Sequence, residues 1–258
     1  MIHEKEKKPL ILVSNDDGFE AKGINELIKA VMPLGDIVVV APDGPRSGMS
    51  SAITSIEPLK IKLLENRPGL TVYSCTGTPV DCIKLGIDQL LDRRPDLVVT
   101  GINHGSNASI CVLYSGTMGA AIEGCIIGIP SVGFSLTDHR QDADFRNAAH
   151  YANLISKKIL EEGLPRGVCL NVNVPNADNI KGVKICCQTD GQWIKEFYTS
   201  EENGETQYWL TGEFDNFEPD NRDSDEWALA NGYVSVVPTK VDMTAHEMID
   251  KLKHWELK

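Results

Sequence analysis

Two short apolar runs with a helical pattern between them constrain the fold of this chain more than any other feature. Leu10–Ser14 and residues 36–41 are dominated by apolar residues without alternation, which is typical of strands buried on both faces of a parallel sheet. Residues 23–32 place apolar side chains at helical spacing, and Pro33 and Gly35 follow as stop signals. A strand, a helix and a second strand in this order predict a doubly wound α/β sheet.

The chain continues this alternation up to about residue 180. Residues 52–75 alternate apolar and polar side chains, which predicts antiparallel strands there. Three more buried strands are predicted over residues 96–100, 131–135 and 169–174, and three more helices over residues 79–91, 117–127 and 144–161. We therefore predict a single, mostly parallel α/β core over residues 1–180.

Residues 181–258 are predicted to form an extension of this core, because the pattern changes there. Its elements, in chain order, are a hairpin over 193–210, an acidic loop over 215–226, a strand over 233–237 that returns to the core and a helix over 244–255. An isolated hairpin is marginally stable in water, so another surface must cover its apolar side. A symmetric partner subunit would do so, which predicts at least a homodimer and allows a homotetramer. The alternative is that the hairpin folds back on the core of its own chain.

The net charge of the chain limits its partners. The chain has 37 acidic residues and 25 Lys or Arg residues, which gives a formal charge of −12. We expect no binding of long nucleic acids, because affinity for a phosphate backbone needs clustered basic residues. A small phosphorylated ligand is compatible with this charge when a metal ion supplies the positive charge.

Neither a membrane span nor a secretion signal is expected. No apolar run approaches the ~20 residues of a spanning helix, and the charged start of the chain leads into a strand without the apolar stretch of a signal peptide. The seven cysteines form no Cys-x-x-Cys pair, and the six histidines are scattered. This pattern predicts reduced thiols in a cytoplasmic protein and argues against a zinc enzyme.

Polar side chains follow three predicted strands at their carboxyl ends, where ligands bind in open parallel sheets. The first cluster, residues 14–18, places Asp16 next to Asp17, and two adjacent carboxylates suit a hard divalent cation. An Asx-type turn near a helix start explains the same residues without a metal. The residues alone leave both interpretations open.

The second cluster, residues 42–48, and the third cluster, residues 101–107, offer neutral oxygen ligands. Ser47 offers a hydroxyl to a metal and Arg46 a cation to an anion, although a Pro/Gly-rich surface loop has the same composition. Asn103 offers an amide oxygen after the strand over 96–100. His104, beside it, could act as a general acid, bind phosphate or simply be solvated.

A helix start follows the third cluster. Residues 115–117, Ser-Gly-Thr, open the helix predicted over 117–127. Free amides and the dipole at a helix N-terminus bind phosphate, and simple N-capping by Ser115 or Thr117 is compatible with that role. The signatures of a P-loop, a dinucleotide fingerprint and a Gly-x-Ser-x-Gly nucleophile elbow are absent, which argues against a kinase, an NAD-dependent enzyme and an α/β-hydrolase.

These motifs, in this order, resemble those of the SurE-like survival-protein nucleotidases over nearly the whole chain from about residue 10. The matching segments are residues 11–18 (Ile-Leu-Val-Ser-Asn-Asp-Asp-Gly), 40–43 with 46–48, 76–79 (Thr-Gly-Thr-Pro) with 81–82, 100–105, 114–117 with 123–124, and 232–235 with Pro238.

The resemblance implies a divalent-metal-dependent 5′-nucleotidase that hydrolyses nucleoside 5′-monophosphates, with 3′-monophosphates and short polyphosphate as further candidate substrates. It implies one Mg²⁺ or Mn²⁺ ion, catalytic roles for Asp16 and Asp17, and a Rossmann-like fold whose C-terminal hairpin and helix exchange contacts between subunits. The implied metal ligands are Asp16, Asp17, Ser47 and Asn103, and the implied phosphate contacts are Asn15, Asn107, Ser115, Gly116 and Thr117.

The chain departs from the family pattern beside this site. Family members commonly have an acidic residue at the position of Cys111, an arginine at the position of His104 and Gly-Pro-Asn at residues 105–107. These differences concern substrate preference more than the reaction, because all four implied metal ligands are kept.

Two functions of other classes remain open on the sequence. A nucleotide sensor without turnover would not need both aspartates, whereas an assembly protein built around the hairpin is compatible with catalysis. The hairpin aromatics, Trp193, Tyr198, Tyr208 and Trp209, could contact a base or a partner subunit, although such residues more often pack within the hairpin. Water and an aspartate carboxylate are both candidate nucleophiles.

Overall fold

The computed structural model describes residues 8–255, and nine strands of this range form one central sheet. Residues 1–7, which hold most of the charged start considered above, and residues 256–258 lie outside the described part. The nine strands are β1 (Leu10–Ser14), β2 (Asp36–Pro42), β3 (Ile61–Arg67), β4 (Leu70–Cys75), β5 (Leu97–His104), β6 (Ser131–Leu136), β7 (Val168–Val174), β8 (Val183–Ile185) and β13 (Val234–Lys240).

Most neighbouring strands of this sheet run parallel. The order across the sheet is β3-β4-β2-β1-β5-β6-β7-β13-β8. From β4 to β7 every pair is parallel, β3 is antiparallel to β4, and β13 is antiparallel to β7 but parallel to β8. The sheet confirms the predicted α/β, Rossmann-like fold class, in which the chain winds outward in both directions from β1.

Helices cover both faces of the sheet. Helices α1 (Lys22–Val31) and α4 (Arg146–Glu162) pack on one face, and α2 (Pro79–Leu85) and α3 (Gly116–Ile126) pack on the other.

Strand β1 shows why its apolar run predicted a doubly covered sheet. Ile11 and Val13 pack in the hydrophobic cluster of α1 and α4, whereas Leu12 packs in the cluster of α2 and α3. Successive side chains of a strand point to opposite faces, so a strand covered on both faces must be apolar at every position.

The prediction of strands throughout residues 52–75 is wrong in its first part. Pairing is confined to β3 and β4, and residues 52–60 form no strand. Polar contacts with the start of α2 hold this segment instead. The Thr78 hydroxyl donates to the carbonyl of Ala52 at 2.7 Å, and the amide of Thr54 donates to Asp81 Oδ1 at 3.1 Å.

The helix predicted over residues 79–91 changes character before its end. Regular α2 stops at Leu85, and Gly86–Leu90 forms a π-helical turn. A Cβ at Gly86 would lie 3.2 Å from a methyl carbon of Leu12 and 3.3 Å from one of Val40. The glycine therefore brings the backbone close to the sheet where the helical geometry changes.

The C-terminal hairpin is longer than predicted and has two parts. At its tip β10 (Phe197–Glu202) pairs with β11 (Glu205–Leu210), and at its base β9 (Gly191–Ile194) pairs with β12 (Glu213–Asn216). Trp193 therefore lies in β9 at the base of the hairpin and not at its tip. The two parts are separated by residues 195–196 and 211–212, where Lys195 has a left-handed φ of 53°.

The prediction of an acidic loop over residues 215–226 is wrong at both ends of this range. Asp215 and Asn216 pair in β12, and Asp225 begins helix α5 (Asp225–Ala230). The side chain of Ser224 caps this helix by accepting a hydrogen bond from the amide of Trp227. Serine at an N-cap followed by two acidic residues is a helix-start signal that the overall acidity of the segment obscured.

The last elements of the chain return to the sheet and then leave it. Strand β13 pairs with β7 from Ser235 to Lys240, and α6 (His246–Lys253) follows without a buried residue. The division into residues 1–180 and 181–258 stays a prediction. Within residues 8–255, no helix is long and apolar enough to cross a membrane.

Candidate active site

An open cleft of about 850 Å³ lies at the carboxyl edge of the central sheet. Five of the side chains proposed from sequence line it: Asp16, Ser47, Asn103, Asn107 and Ser115. The other lining residues are Gly48, His104, Cys111, Tyr114, His139, Trp193, Glu196, Leu210, Thr211 and Gly212. The fold thus brings together the ends of β1 and β5, the loop after β2 and the start of α3.

Asp16 is the most buried acidic group of this cleft, with 4% of its surface exposed. Its Oδ1 accepts a 2.5 Å hydrogen bond from the Thr117 hydroxyl. Burial raises the pKa of Asp16 from 3.8 to about 6, the Thr117 hydrogen bond opposes the rise, and the charge of Asp17 adds to it. A nearby cation would relieve the cost of keeping this carboxylate ionised.

Asp17 lies beside His104 at the rim of the same site. Its Oδ2 is 3.3 Å from His104 Nδ1 and accepts a 3.4 Å hydrogen bond from the His104 amide. The imidazole ring packs edge-on against Phe145, with 4.8 Å between ring centroids. His104 is therefore fixed against the candidate ligand Asp17 rather than free in solvent.

Ser47 comes from the loop after β2, and this loop is attached to the end of β1. The amide of Arg46 donates to the carbonyl of Asp16 at 2.7 Å. The Arg46 guanidinium pairs with Asp43 at 3.0 Å and donates to the carbonyl of Thr76 at 3.2 Å. Ser47 is exposed in the cleft, whereas the charge of Arg46 is already engaged by Asp43.

Asn103 presents its amide oxygen to the cleft side of β5. Its Nδ2 donates to the carbonyls of His104 at 3.2 Å and Gly105 at 2.9 Å. With the nitrogen engaged, the orientation of the amide is set, and in residues 8–255 Oδ1 receives no hydrogen bond. An amide oxygen held in this way is a suitable neutral ligand for a hard cation.

These donors fit a divalent cation with oxygen ligands. Two carboxylates, a hydroxyl and an amide oxygen are the groups that Mg²⁺ and Mn²⁺ prefer. The described part of the chain has no group of three or more His, Cys, Asp or Glu side chains that could hold a metal. The chemistry of this donor set therefore matches Mg²⁺ or Mn²⁺ better than a nitrogen- and sulfur-bound zinc.

The start of α3 faces Asp16 across a very short distance. Ser115 is its N-cap, and its Oγ accepts a hydrogen bond from the amide of Met118 at 3.0 Å. The amides of Gly116 and Thr117 belong to the first turn, which has no intrahelical acceptors. A Cβ at Gly116 would lie 2.8 Å from Cβ of Asp16, so only glycine allows this approach.

The remaining predicted phosphate contacts have different surroundings. Thr117 directs its hydroxyl at Asp16, as described above. Asn15 is fully buried, and its Nδ2 donates to the carbonyl of Gly18 at 2.9 Å, which shapes the turn after β1. Its Oδ1 is a buried acceptor that has no hydrogen-bond partner within the described range. The phosphate-binding role of Asn15 stays a prediction.

Asn107 is held by a buried polar network that the sequence did not reveal. Its backbone amide donates to Asn173 Oδ1 at 2.8 Å, and its backbone carbonyl accepts from Asn171 Nδ2 at 2.8 Å. Its own Nδ2 donates to Ser135 Oγ at 2.8 Å, and Asn173 Nδ2 donates to Asn171 Oδ1 at 3.0 Å. Asparagines within the otherwise apolar β7 were the available signal for this network.

The hairpin forms one wall of the cleft where its base meets its tip. Trp193 of β9 and Leu210 of β11 line the cleft together with Glu196, Thr211 and Gly212, which lie between the two parts. Sequence analysis considered Trp193 only as a base or partner contact and missed the other four residues. Their role depends on how the hairpin folds back over the sheet edge, which local sequence patterns do not specify.

Comparisons with known proteins bear on the family of this chain. The family model described as survival protein SurE matches residues 11–195. The protein named 5′-nucleotidase SurE from Phocaeicola vulgatus is 56% identical over 254 residues, 98% of this chain and 99% of that protein. The protein of the same name from Bacteroides fragilis is 58% identical over 252 residues, 97% of this chain and 99% of that protein.

A solved structure shows the same fold. The crystal structure of the SurE protein from Aquifex aeolicus superimposes with a TM-score of 0.82 at 38% sequence identity. The match covers 95% of this chain and 98% of that chain, so it includes both the central sheet and the C-terminal extension.

Proposed function

The chain belongs to the SurE family, and from this premise we propose that it hydrolyses nucleoside 5′-monophosphates to nucleoside and phosphate with one bound Mg²⁺ or Mn²⁺ ion. The 5′-nucleotidase class follows from the name of relatives that share more than half of its residues over nearly the whole chain. The metal, its ligands and the range of substrates are our proposals.

One observation supports metal dependence most strongly: among residues 8–255, no Lys or Arg lines the cleft. A phosphate dianion nevertheless has to enter an acidic protein and approach Asp16 and Asp17. The amides at the start of α3 supply only partial positive charge. A divalent cation held by the two carboxylates would remove the repulsion.

The proposed ligands of this ion are Asp16, Asp17, Ser47 and Asn103. When bound, the ion supplies positive charge that neutralises the phosphate and activates the attacking oxygen. Thr117 holds one carboxylate oxygen of Asp16 in place, and His104 holds Asp17. These contacts keep the two charged groups oriented before the substrate arrives, so little reorganisation is needed during the reaction.

The proposed phosphate position lies at the start of α3, opposite the carboxylates. The amides of Gly116 and Thr117 and the hydroxyl of Ser115 would contact the phosphate oxygens, and Asn107 would contact them from the β6 side. Ser115 caps the helix through its oxygen, so its proton stays free for donation. Asn15 is included in this set from the family resemblance alone.

The wide, open cleft also supports activity on 3′-monophosphates and short polyphosphate. Its volume of about 850 Å³ exceeds what a phosphate group needs. Since no Lys or Arg of the described residues lines it, we expect recognition of the phosphate not to depend on one fixed orientation of the sugar. We expect these substrates to be hydrolysed more slowly than 5′-monophosphates.

We propose that the protein is a homodimer or homotetramer in which the tip of the hairpin contacts a partner subunit. Strands β10 and β11 pair only with each other, and both carry large apolar side chains that solvent reaches.

A cytoplasmic location is part of the same proposal, because all seven cysteines are free thiols and none is in a disulfide.

Phosphate release from a substrate panel tests the proposed activity. The panel contains the common nucleoside 5′-monophosphates, their 3′-isomers and a short polyphosphate, each with Mg²⁺ and with Mn²⁺. We expect release from the 5′-monophosphates with at least one of the two metals. A protein that binds these nucleotides but releases no phosphate from any of them would be a sensor, and the proposed hydrolysis would be wrong.

A further inference from the structure

A second pocket lies at the opposite edge of the central sheet from the cleft. It has a volume of about 340 Å³ and is lined by the segments that precede β5, β6 and β7. We call it the arginine pocket, after Arg94 and Arg166, which enter it from two of these segments. The candidate active site includes the carboxyl end of β5, whereas the arginine pocket lies before the start of this strand, so the two sites are at opposite ends of β5.

Both guanidinium groups converge on one small volume next to Gly128. A Cβ at this glycine would lie 3.3 Å from Arg94 Nη2 and 4.0 Å from Arg166 Nε. Gly128 has a left-handed φ of 78°, which favours glycine and leaves the volume free of a side chain. Two like charges therefore face the same space.

No carboxylate compensates these two charges in the described part of the chain. Asp and Glu are absent from the lining of the arginine pocket, and neither Arg94 nor Arg166 forms a salt bridge. Of the other six arginines of this acidic chain, five pair with carboxylates and Arg222 does not within residues 8–255. The pairs are Arg46–Asp43, Arg67–Glu65, Arg93–Asp96, Arg140–Asp138 and Arg146–Asp144.

Helix capping explains only one of the two arginines. Arg94 Nη2 donates to the carbonyl of Ile127 just after the end of α3, where a cation is favoured by the helix dipole. Arg166 makes no such hydrogen bond to a carbonyl within residues 8–255. Both side chains are exposed, and their guanidinium groups lie where one anion could contact both.

We propose that the arginine pocket is a second anion site that binds inorganic phosphate or the phosphate group of a phosphomonoester. Guanidinium groups recognise phosphate oxygens through paired, charge-assisted hydrogen bonds, and two of them neutralise a dianion. The pocket volume accommodates a phosphate and leaves room for a small organic substituent. The proposal does not depend on the activity proposed for the cleft, because the two sites share no lining residue.

Phosphate titration of the full-length protein tests this site. Binding of inorganic phosphate is measured by calorimetry without added divalent metal, in the wild type and in Arg166→Gln, Arg166→Lys and Arg222→Gln. Arg166 is the better target because Arg94 also caps α3. Arg222 is the matched control, since it is exposed, lacks a salt bridge among the described residues and lies outside both sites.

We expect R166Q to weaken phosphate binding by at least about 10-fold, R166K to keep most of it and R222Q to bind as the wild type. Equal binding by R166Q and the wild type would overturn the proposal. Equal losses in R166Q and R222Q would also overturn it, because they would reflect overall charge. Thermal unfolding shows whether R166Q is folded, and an unchanged rate of nucleotide hydrolysis shows that the cleft is intact.

A second titration distinguishes the two sources of phosphate. A nucleoside 5′-monophosphate is added to the Asp16→Asn variant, which retains the arginine pocket and should not consume the ligand. If the nucleotide binds more tightly than inorganic phosphate, and the R166Q substitution in the same variant abolishes this binding, the pocket is a phosphomonoester site. Tighter binding of inorganic phosphate identifies a free-phosphate site. Saturable binding of neither ligand would overturn the proposal.

Discussion

Two regions of the molecule differ in how far contacts within one chain engage their side chains. These regions are the carboxyl edge of the central sheet and the tip of the C-terminal hairpin. At the sheet edge, Asp16, Asn103 and Ser115 are each held by hydrogen bonds from or to neighbouring segments. At the hairpin tip, Phe197 and Tyr208 are 61% and 70% exposed. The first region is complete within one chain, apart from the positive charge that its carboxylates need.

This difference separates chemistry from assembly. A site whose side chains are already fixed can bind a metal and a phosphate without first ordering its residues, and preorganisation of this kind is a main source of catalytic rate. An exposed apolar surface instead gains most from burial against a second copy. We therefore expect substitutions at the sheet edge to affect turnover, and substitutions at the hairpin tip to affect the oligomeric state.

Asp16→Asn and Asp17→Asn should produce the largest effect, a loss of turnover on the order of 10²-fold or more, because each removes a charged ligand of the proposed metal. Phosphate release and thermal unfolding are measured side by side. Asp88→Asn, which changes an exposed carboxylate far from the cleft, is the control. Near-normal rates in both variants would return Asp16 and Asp17 to a turn-forming role.

Replacing Phe197 and Tyr208 together by serine tests the opposite half of the comparison. The two residues lie on the same face of the hairpin, since Phe197 pairs with Leu210 and Thr199 pairs with Tyr208. Loss of two aromatic contacts should weaken subunit association on the order of 10- to 10²-fold, seen by light scattering as a shift towards the 28.3 kDa monomer. The control Ile56→Ser removes an apolar side chain that is 93% exposed outside the hairpin.

Wild-type protein that already has the monomer mass at micromolar concentration would contradict the assembly proposal. An unchanged mass in the double variant would place the interface elsewhere. Because the hairpin also lines the cleft, the turnover of the same variants shows whether assembly affects the reaction.

Gly116→Ala should reduce turnover roughly 10-fold, because displacement of catalytic groups by a fraction of an ångström is costly. The added methyl group would lie 2.8 Å from Cβ of Asp16, so either the carboxylate or the helix start has to move. Gly44→Ala is the matched control, since a Cβ there meets no atom within 4 Å. Equal rates for the two variants would show that the close approach of α3 to Asp16 is not required.

Asp81→Asn should give the smallest effect, a loss of about 1 kcal/mol of stability. Burial raises the pKa of Asp81, but hydrogen bonds from Thr54 and Thr78 outweigh it and lower the pKa below 3.8. The carboxylate therefore stabilises the fold above pH 3.8 and loses this contribution as the pH falls through its lowered pKa. The melting temperatures of wild type and variant should differ at pH 7 and converge in acid, and a constant difference would refute this assignment.

The part of the fold that the sequence predicted well is the part in which each element is recognisable by itself. Strand β1 is apolar at every position because it is covered on both faces, and this signal does not depend on distant residues. The ends of β1 and β5 could be placed at one edge because parallel strands share a direction. Asp16, Ser47, Asn103 and Ser115 could therefore be predicted to lie near one another, and all four line the same cleft.

The parts that sequence missed depend on long-range contacts. Residues 52–60 alternate like a strand, yet their partners are polar groups of Thr78 and Asp81 rather than another strand. Asn171 and Asn173 support Asn107 only because β7 lies beside β6. Arg94 and Arg166 are 72 positions apart by their numbers, and only the fold brings them to the same pocket.

The proposed metal-dependent hydrolysis is tested by following phosphate release from a nucleoside 5′-monophosphate while the metal is removed and then returned. The full-length wild type is treated with excess chelator, and Mg²⁺ or Mn²⁺ is then added back in steps, with D16N treated in parallel. We expect the chelator to abolish release, one of the two ions to restore it in the wild type, and neither ion to restore it in D16N. Full activity of the wild type in excess chelator would contradict the proposed metal dependence.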